Sequence, residues 1–386
     1  MQQMRQNRRK NRILQSLCRC LAVTAAALAM VSAPAWSAEH ASADTAAEQT
    51  SRITLWPHGI APGDNALPQP QRIVDRSSDA ALPDRYIQNI SQPYLVVYRP
   101  KRPNGIALLV TPGGGYQRIV LDNEGSALVP SFVDQAGMTL FVLRYRLPGE
   151  GHPNGADVPL ADAQRALRLI RANAGRYGID AQRVGVMGFS AGGHVAASLD
   201  TRYAAQVYPA QDAADALSAR PDFTLLIYPV IDMDSANAHM GSRERLLGKT
   251  PSAAQVGAYS PQLHVDARTP PTFLLHAQDD TVVPVRNSLL MHDALLRAGV
   301  ASELHVFPQG GHGFGTASTT GLTVAAWPQL AQAWIAHVTK TRTSASAEAA
   351  GSAPAPAPPS ASASASASAS ASASASASAS AKDMVR

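Results

Sequence analysis

Cysteine is almost missing from this 386-residue chain: there are two, Cys18 and Cys20, and both precede the first apolar run. Neither suits a structural bridge or a lipoprotein cleavage box, so the rest of the chain must hold its fold by core size. Acidic residues are missing from the first 38 positions, where Arg5, Arg8, Arg9, Lys10, Arg12 and Arg19 stand unopposed. Without those six the formal net charge of +5 becomes −1. A nearly neutral chain lacks the electrostatic footprint that a phosphate backbone requires, which excludes general nucleic-acid binding. Long apolar runs are scarce too. The run at 21–31 is too short to cross a bilayer comfortably, which argues against stable membrane insertion. There is no His-Glu-x-x-His, no cysteine ligand set and no tight His/Asp cluster, so no metal is expected and no cofactor is implied. Internal repeats are absent.

What is present divides into three parts. The cationic start, the apolar run and the small residues Ala33, Ala35, Ser37 and Ala38 read as an export signal over 1–38, which implies a secreted or periplasmic protein. At the other end, 341–386 loses its apolar pattern, passes through alternating Ala and Pro, and then alternates Ser and Ala strictly over 360–381. Alanine offers too little buried area to offset chain entropy, so this segment reads as a disordered tail.

Between them, 52–340 reads as one α/β domain. Apolar runs of strand length at 106–110, 139–143 and 184–187 alternate with helical periodicity at 127–135, 160–174 and 192–199. Further strands are predicted at 223–231, 271–276 and 303–307, with helices at 287–297 and 324–338. Segments 53–56 and 94–98 are candidates for antiparallel edge strands. The alternation predicts a mostly parallel central sheet with helices on both faces. In the helix at 160–174, Leu160, Ala163, Leu167, Ile170 and Ala174 form an apolar stripe, with Asp162, Arg165, Arg168 and Arg171 outside it.

Chemistry concentrates at Gly188-Phe189-Ser190-Ala191-Gly192. This G-x-S-x-G follows a predicted buried strand and opens a predicted helix, the context of a nucleophile elbow. Small residues at Gly188 and Gly192 allow strand and helix to cross closely, while Ser190 is lifted to the head of a helix whose dipole favours negative charge. A serine hydroxyl needs a base, and the base an orienting carboxylate. His312, in the glycine-rich run 310–314 after the last predicted strand, is the candidate base, so activity is expected to fall as acid protonates an imidazole. The carboxylate comes from Asp279-Asp280. Consecutive side chains on extended backbone diverge, so one reaches the imidazole and the other braces the loop; Asp280 is chosen as the acid. The order Ser190, Asp280, His312 is that of the α/β-hydrolase fold. For the oxyanion, Gly113-Gly114-Gly115 end the first central strand, and the Ala191 N–H supplies a partner donor. No Lys-Ser/Thr follows these glycines, so they form no P-loop.

With these motifs in place, the chain resembles secreted α/β-hydrolase-fold esterases related to acetyl esterases and acetylxylan esterases, overlapping the hormone-sensitive-lipase-like group. The similarity is carried by the elbow, by Pro112-Gly113-Gly114-Gly115-Tyr116, by the segments at 141–147, 162–166 and 217–223, and by Gly310-Gly311-His312-Gly313-Phe314. It implies Ser190 as nucleophile, His312 as base, Asp280 as acid, and Gly114, Gly115 and Ala191 as oxyanion donors. Pro112 stands where the lipase-like group usually has histidine, which leaves Gly113 as an alternative donor. The resemblance implies hydrolysis of short, acetyl-type esters on small molecules or oligosaccharides such as xylan fragments, through an acyl-enzyme. Some relatives carry the label xylanase, but glycoside cleavage needs two carboxylates flanking an acetal, which this constellation does not supply. Two other readings share the motifs: a serine peptidase of the prolyl-oligopeptidase type, and a non-catalytic saccharide-binding protein on a hydrolase fold. Of the other histidines, His194 reads as packing and His276 as a strand end, His152 and His239 sit in polar loops and are not assigned to the site, and Tyr116 and Arg118, just past the glycines, are open between sugar contact and surface packing.

Overall fold

Runs of four to six consecutive apolar residues lie in strands covered on both faces, as a parallel sheet demands. The computed structural model describes residues 52–351 apart from 66, 80 and 81, with side chains to 340. The segment read as a leader, 1–38, lies outside the described residues, as do 352–386 of the segment read as a tail. In chain order the strands are β1 (Arg52–Thr54), β2 (Arg72–Asp75), β3 (Arg85–Gln88), β4 (Tyr94–Tyr98), β5 (Ala107–Thr111), β6 (Ile119–Val120), β7 (Thr139–Arg144), β8 (Val184–Phe189), β9 (Thr224–Ile227), β10 (Thr272–Ala277) and β11 (Ser302–Phe307). Among the described residues the main sheet has eight strands in the order β1-β4-β7-β5-β8-β9-β10-β11. From β7 to β11 neighbours are parallel, whereas β1 and β4 pair antiparallel. Of the two candidate edge segments, β1 is the edge and β4 lies one strand inside it. The expected mostly parallel sheet is therefore present.

The helices are α1 (Val158–Ala172), α2 (Ala174–Tyr177), α3 (Ser190–Arg202), α4 (Met240–Leu247), α5 (Ala253–Ala258), α6 (Arg286–Arg297) and α7 (Trp327–Gly351). Strand side chains alternate between two cores. Ala107, Leu109, Val184, Val186 and Leu274 face one core with Leu167, Val195 and Met291 of α1, α3 and α6. Leu108, Val110, Met187, Phe189 and Phe273 face the other, closed by Trp327, Ala331 and Ile335 of α7. At ~25 cal/mol per Å² of apolar area, two such layers stabilise this fold, with no cysteine among the described residues. Among the described residues, no helix is long and apolar enough to cross a membrane.

Several expected elements differ. The helix expected at 127–135 is a 3-10 turn (Ser126–Leu128) followed by a π-helix (Val129–Gln135), whose first turn contains Pro130 and so lacks one N–H donor. The strand expected at 223–231 ends at Ile227, because Tyr228 takes a positive φ of 37° and Pro229 follows. Helix α7 continues past 340 to Gly351, since the Ala- and Glu-containing stretch has helix propensity although it offers no apolar face. Asp162 and Arg165, outside the apolar stripe of α1, are nonetheless buried, because the N-terminal segment with Trp56 lies over them. A second sheet, β2-β3-β6, and helices α4 and α5 were not expected.

Candidate active site

Ser190 is the first residue of α3 and directly follows β8. Its φ of 51° lies in the left-handed region, the strain that so sharp a turn imposes on a non-glycine residue. The flanking glycines are sterically required: a Cβ on Gly188 would stand 2.4 Å from the Gly192 oxygen, and one on Gly192 2.1 Å from the Thr111 oxygen. Strand β8 lies mid-sheet, so the serine sits above the carboxyl ends of the parallel strands, where loops from several strands converge.

Two of those loops bring the partners. The Ser190 hydroxyl donates to His312 Nε2 at 2.8 Å, and His312 Nδ1–H donates to Asp280 Oδ2 at 2.7 Å. Asp280 sits in the turn after β10, where its Oδ1 accepts from the N–H groups of Val282 and Val283 at 2.9 Å each. Burial acts to raise the Asp280 pKa, but hydrogen bonds from His276 and His312, the His312 charge and the Val283 N–H outweigh it and hold the carboxyl below the usual range. Asp279 points the other way and accepts from the Gly311 N–H at 2.7 Å, bracing the histidine loop.

The glycine loop lies beside the serine. Gly114 and Gly115 take positive φ values of 131° and 65°, and both line a cleft of ≈480 Å³ with Ser190 and His312. The N–H groups of Gly114, Gly115 and Ala191 donate to no group among the described residues. Gly113 is different: its N–H donates to Glu124 Oε2 at 2.6 Å, which removes it as an alternative oxyanion donor.

No local motif in the sequence marks Glu124. It is buried, and its second oxygen accepts from the Tyr228 hydroxyl at 3.0 Å. That hydroxyl in turn accepts from the Gly315 N–H at 3.1 Å, and the Tyr228 ring packs edge-on against His312. Asn123 Nδ2–H donates to the Gly313 oxygen at 2.6 Å, and Trp327 Nε1–H at the head of α7 donates to the Gly315 oxygen at 2.7 Å. The segment at 123–124 thus ties the glycine loop to the histidine loop. His276, near the end of β10, also has a wider part than ending a strand: its Nε2 lies 3.3 Å from Asp280 Oδ2.

The remaining candidates separate. His239 and Arg118 line the cleft. Tyr116 is buried and its hydroxyl donates to His194 Nδ1 at 2.7 Å, while His194 Nε2–H donates to the Tyr259 oxygen at 2.8 Å. His152 is buried beside Asp64, 2.7 Å away, and does not line the cleft. Burial lowers the His194 pKa to about 4; the Arg202 charge adds to this, and the bond to Tyr259 opposes it. The unfolded chain therefore binds more protons than the folded one below the ordinary histidine value of ~6.5, so this group's contribution is present above that value and is lost as pH falls towards 4. Urea titrations should show the stability gap between wild type and His194→Gln narrowing by up to about 3 kcal/mol across that window. A gap independent of pH would contradict the neutral, buried imidazole.

The BD-FAE family model matches residues 79–295. An acetylxylan esterase of Xylanibacter ruminicola is 34% identical over 225 residues, 57% of this chain and 43% of that protein. An endo-1,4-beta-xylanase B of Butyrivibrio fibrisolvens is 37% identical over 211 residues, 55% of this chain and 33% of that protein. The chain thus spans less than half the length of these two curated relatives. A solved acetyl ester-xyloside bifunctional hydrolase from Caldicellulosiruptor lactoaceticus superposes with a TM-score of 0.60 at 37% identity, covering 75% of this chain and 96% of that one.

Proposed function

Because the chain belongs to the BD-FAE family and has the α/β-hydrolase fold, we propose that it is a carboxylic ester hydrolase of the serine type, acting on short acyl esters, acetyl foremost, of saccharides. The observation that carries this reading is the hydrogen-bonded line Ser190–His312–Asp280, at 2.8 and 2.7 Å, beside the unengaged N–H groups of Gly114 and Gly115. In this reading Ser190 Oγ attacks the ester carbonyl while His312 Nε2 takes its proton. The carbonyl oxygen gains negative charge and is met by the N–H groups of Gly114, Gly115 and Ala191. Collapse of the tetrahedral intermediate expels the alcohol, which receives the proton from His312. Water, deprotonated by the same imidazole, then releases the acid from the acyl-enzyme.

The names of relatives also include xylanase, and the cleft has two carboxylates, Asp84 and Glu124. Both are engaged: Asp84 pairs with Arg76 at 2.6 Å, and Glu124 takes Gly113 and Tyr228. This favours the ester over the glycosidic bond as the reacting group. Acetate release from a panel of acetylated polysaccharides, small acetylated sugars and p-nitrophenyl acetate tests the reading. Activity is expected on acetyl esters, and cleavage of xylan chains without acetate release would overturn it.

Glu124 makes a separate expectation. Its carboxylate accepts on both oxygens, and glutamine replaces one acceptor with a donor facing another donor. Glu124→Gln should shift the glycine loop and lower kcat by about 10- to 100-fold with KM little changed. Steady-state kinetics with an unchanged kcat would count against the brace.

A further inference from the structure

The cleft carries more positive charge than a neutral ester needs. Arg76, Arg118 and Arg245 line it, together with the carboxylates of Asp84 and Glu124. Arg76 is neutralised by Asp84 at 2.6 Å, and Glu124 is bound to Gly113 and Tyr228. Arg118 and Arg245 therefore stand in the cleft with no carboxylate partner among the described residues.

Both are held in place. Arg118 follows the glycine loop, its guanidinium lies 5.2 Å from the centre of the Tyr86 ring, and its Nε is buried without a hydrogen-bond partner. Tyr86 belongs to β3, so the second sheet supplies this wall. Arg245 projects from α4, and its Nη1–H donates to the Gly241 oxygen at 3.3 Å. Beside it, His239 Nδ1 lies 3.2 Å from the Ser242 N–H and 2.8 Å from the Ser242 hydroxyl, which fixes the ring at the cleft wall. Both side chains are part-buried in the cleft wall, and their planar donors match a carboxylate in bidentate geometry.

We propose that Arg118 and Arg245 form a carboxylate-binding subsite beside Ser190, and that the preferred substrate is an acylated acidic saccharide whose uronate carboxylate docks there while its acyl group meets the serine. This rests on the ester-hydrolase reading above, and the test separates the two. Acetate release is compared on mono-O-acetylated methyl glucuronoside and methyl glucoside, which differ at C6 alone, with p-nitrophenyl acetate alongside. At low salt the acidic sugar should have at least a tenfold higher kcat/KM, most of it in KM, and added salt should narrow the gap. In the Arg118→Gln/Arg245→Gln variant the ratio should fall towards one, and Arg118→Lys/Arg245→Lys should keep part of it. Labelling of Ser190 by a fluorophosphonate reports that each variant holds an intact site; should the double glutamine variant fail this, the single variants and the lysine pair carry the comparison. A wild-type ratio near one, or a ratio that survives removal of both charges, overturns the subsite. Failure to hydrolyse any of the three esters overturns the ester-hydrolase reading as well.

Discussion

Ser190→Ala is expected to lower p-nitrophenyl acetate hydrolysis by at least ~10⁴-fold, with the protein still folded. The residue is 6% exposed, and alanine removes one oxygen without disturbing the backbone around it. Residual rate from the oxyanion donors and binding alone sets the floor. The same change should abolish labelling by a fluorophosphonate, because Oγ is the only atom at position 190 able to form the adduct. Equal turnover by wild type and variant would remove serine from the mechanism, and mass mapping of the adduct to another residue would do the same.

Asp280→Asn should be nearly as severe, on the order of 10⁴ in kcat. The reason is geometric. Oδ1 accepts two backbone N–H groups, so an asparagine must keep its carbonyl there and turn its NH₂ towards His312. The imidazole then presents a lone pair at Nδ1 and carries its proton on Nε2, facing the serine hydroxyl it is meant to deprotonate. His276 Nε2 also loses its acceptor on that side. Because the native carboxyl is held below the ordinary range, the aspartate is already ionised across working pH. A variant retaining more than about a tenth of wild-type kcat would show that Asp280 does not fix the tautomer.

Legibility in the sequence followed the range of the constraint. The elbow was readable because its demands are local: Gly188 and Gly192 answer to atoms within the same strand-turn-helix unit or the neighbouring strand end. The buried strands were readable because the parallel sheet requires unbroken apolar runs. Glu124 was not, since its partners Gly113 and Tyr228 are 11 and 104 residues away and meet it only through sheet order. The second sheet escaped notice because β2 is mostly exposed and β6 has two residues, so neither has an apolar pattern. The role of His276 was hidden by its strand: nothing local distinguishes a core histidine from one whose Nε2 reaches the acid loop four residues on.

The indole of Trp327 fastens the head of the last helix to the backbone of the histidine loop. That bond makes α7 a latch as well as a lid over one core, and it couples docking of the last helix to alignment of the imidazole. Truncation of the chain before Trp327 is therefore unlike the trimming of an ornament. It would open the core that this helix closes and free the imidazole loop together, so the folded sheet and the activity should be lost hand in hand.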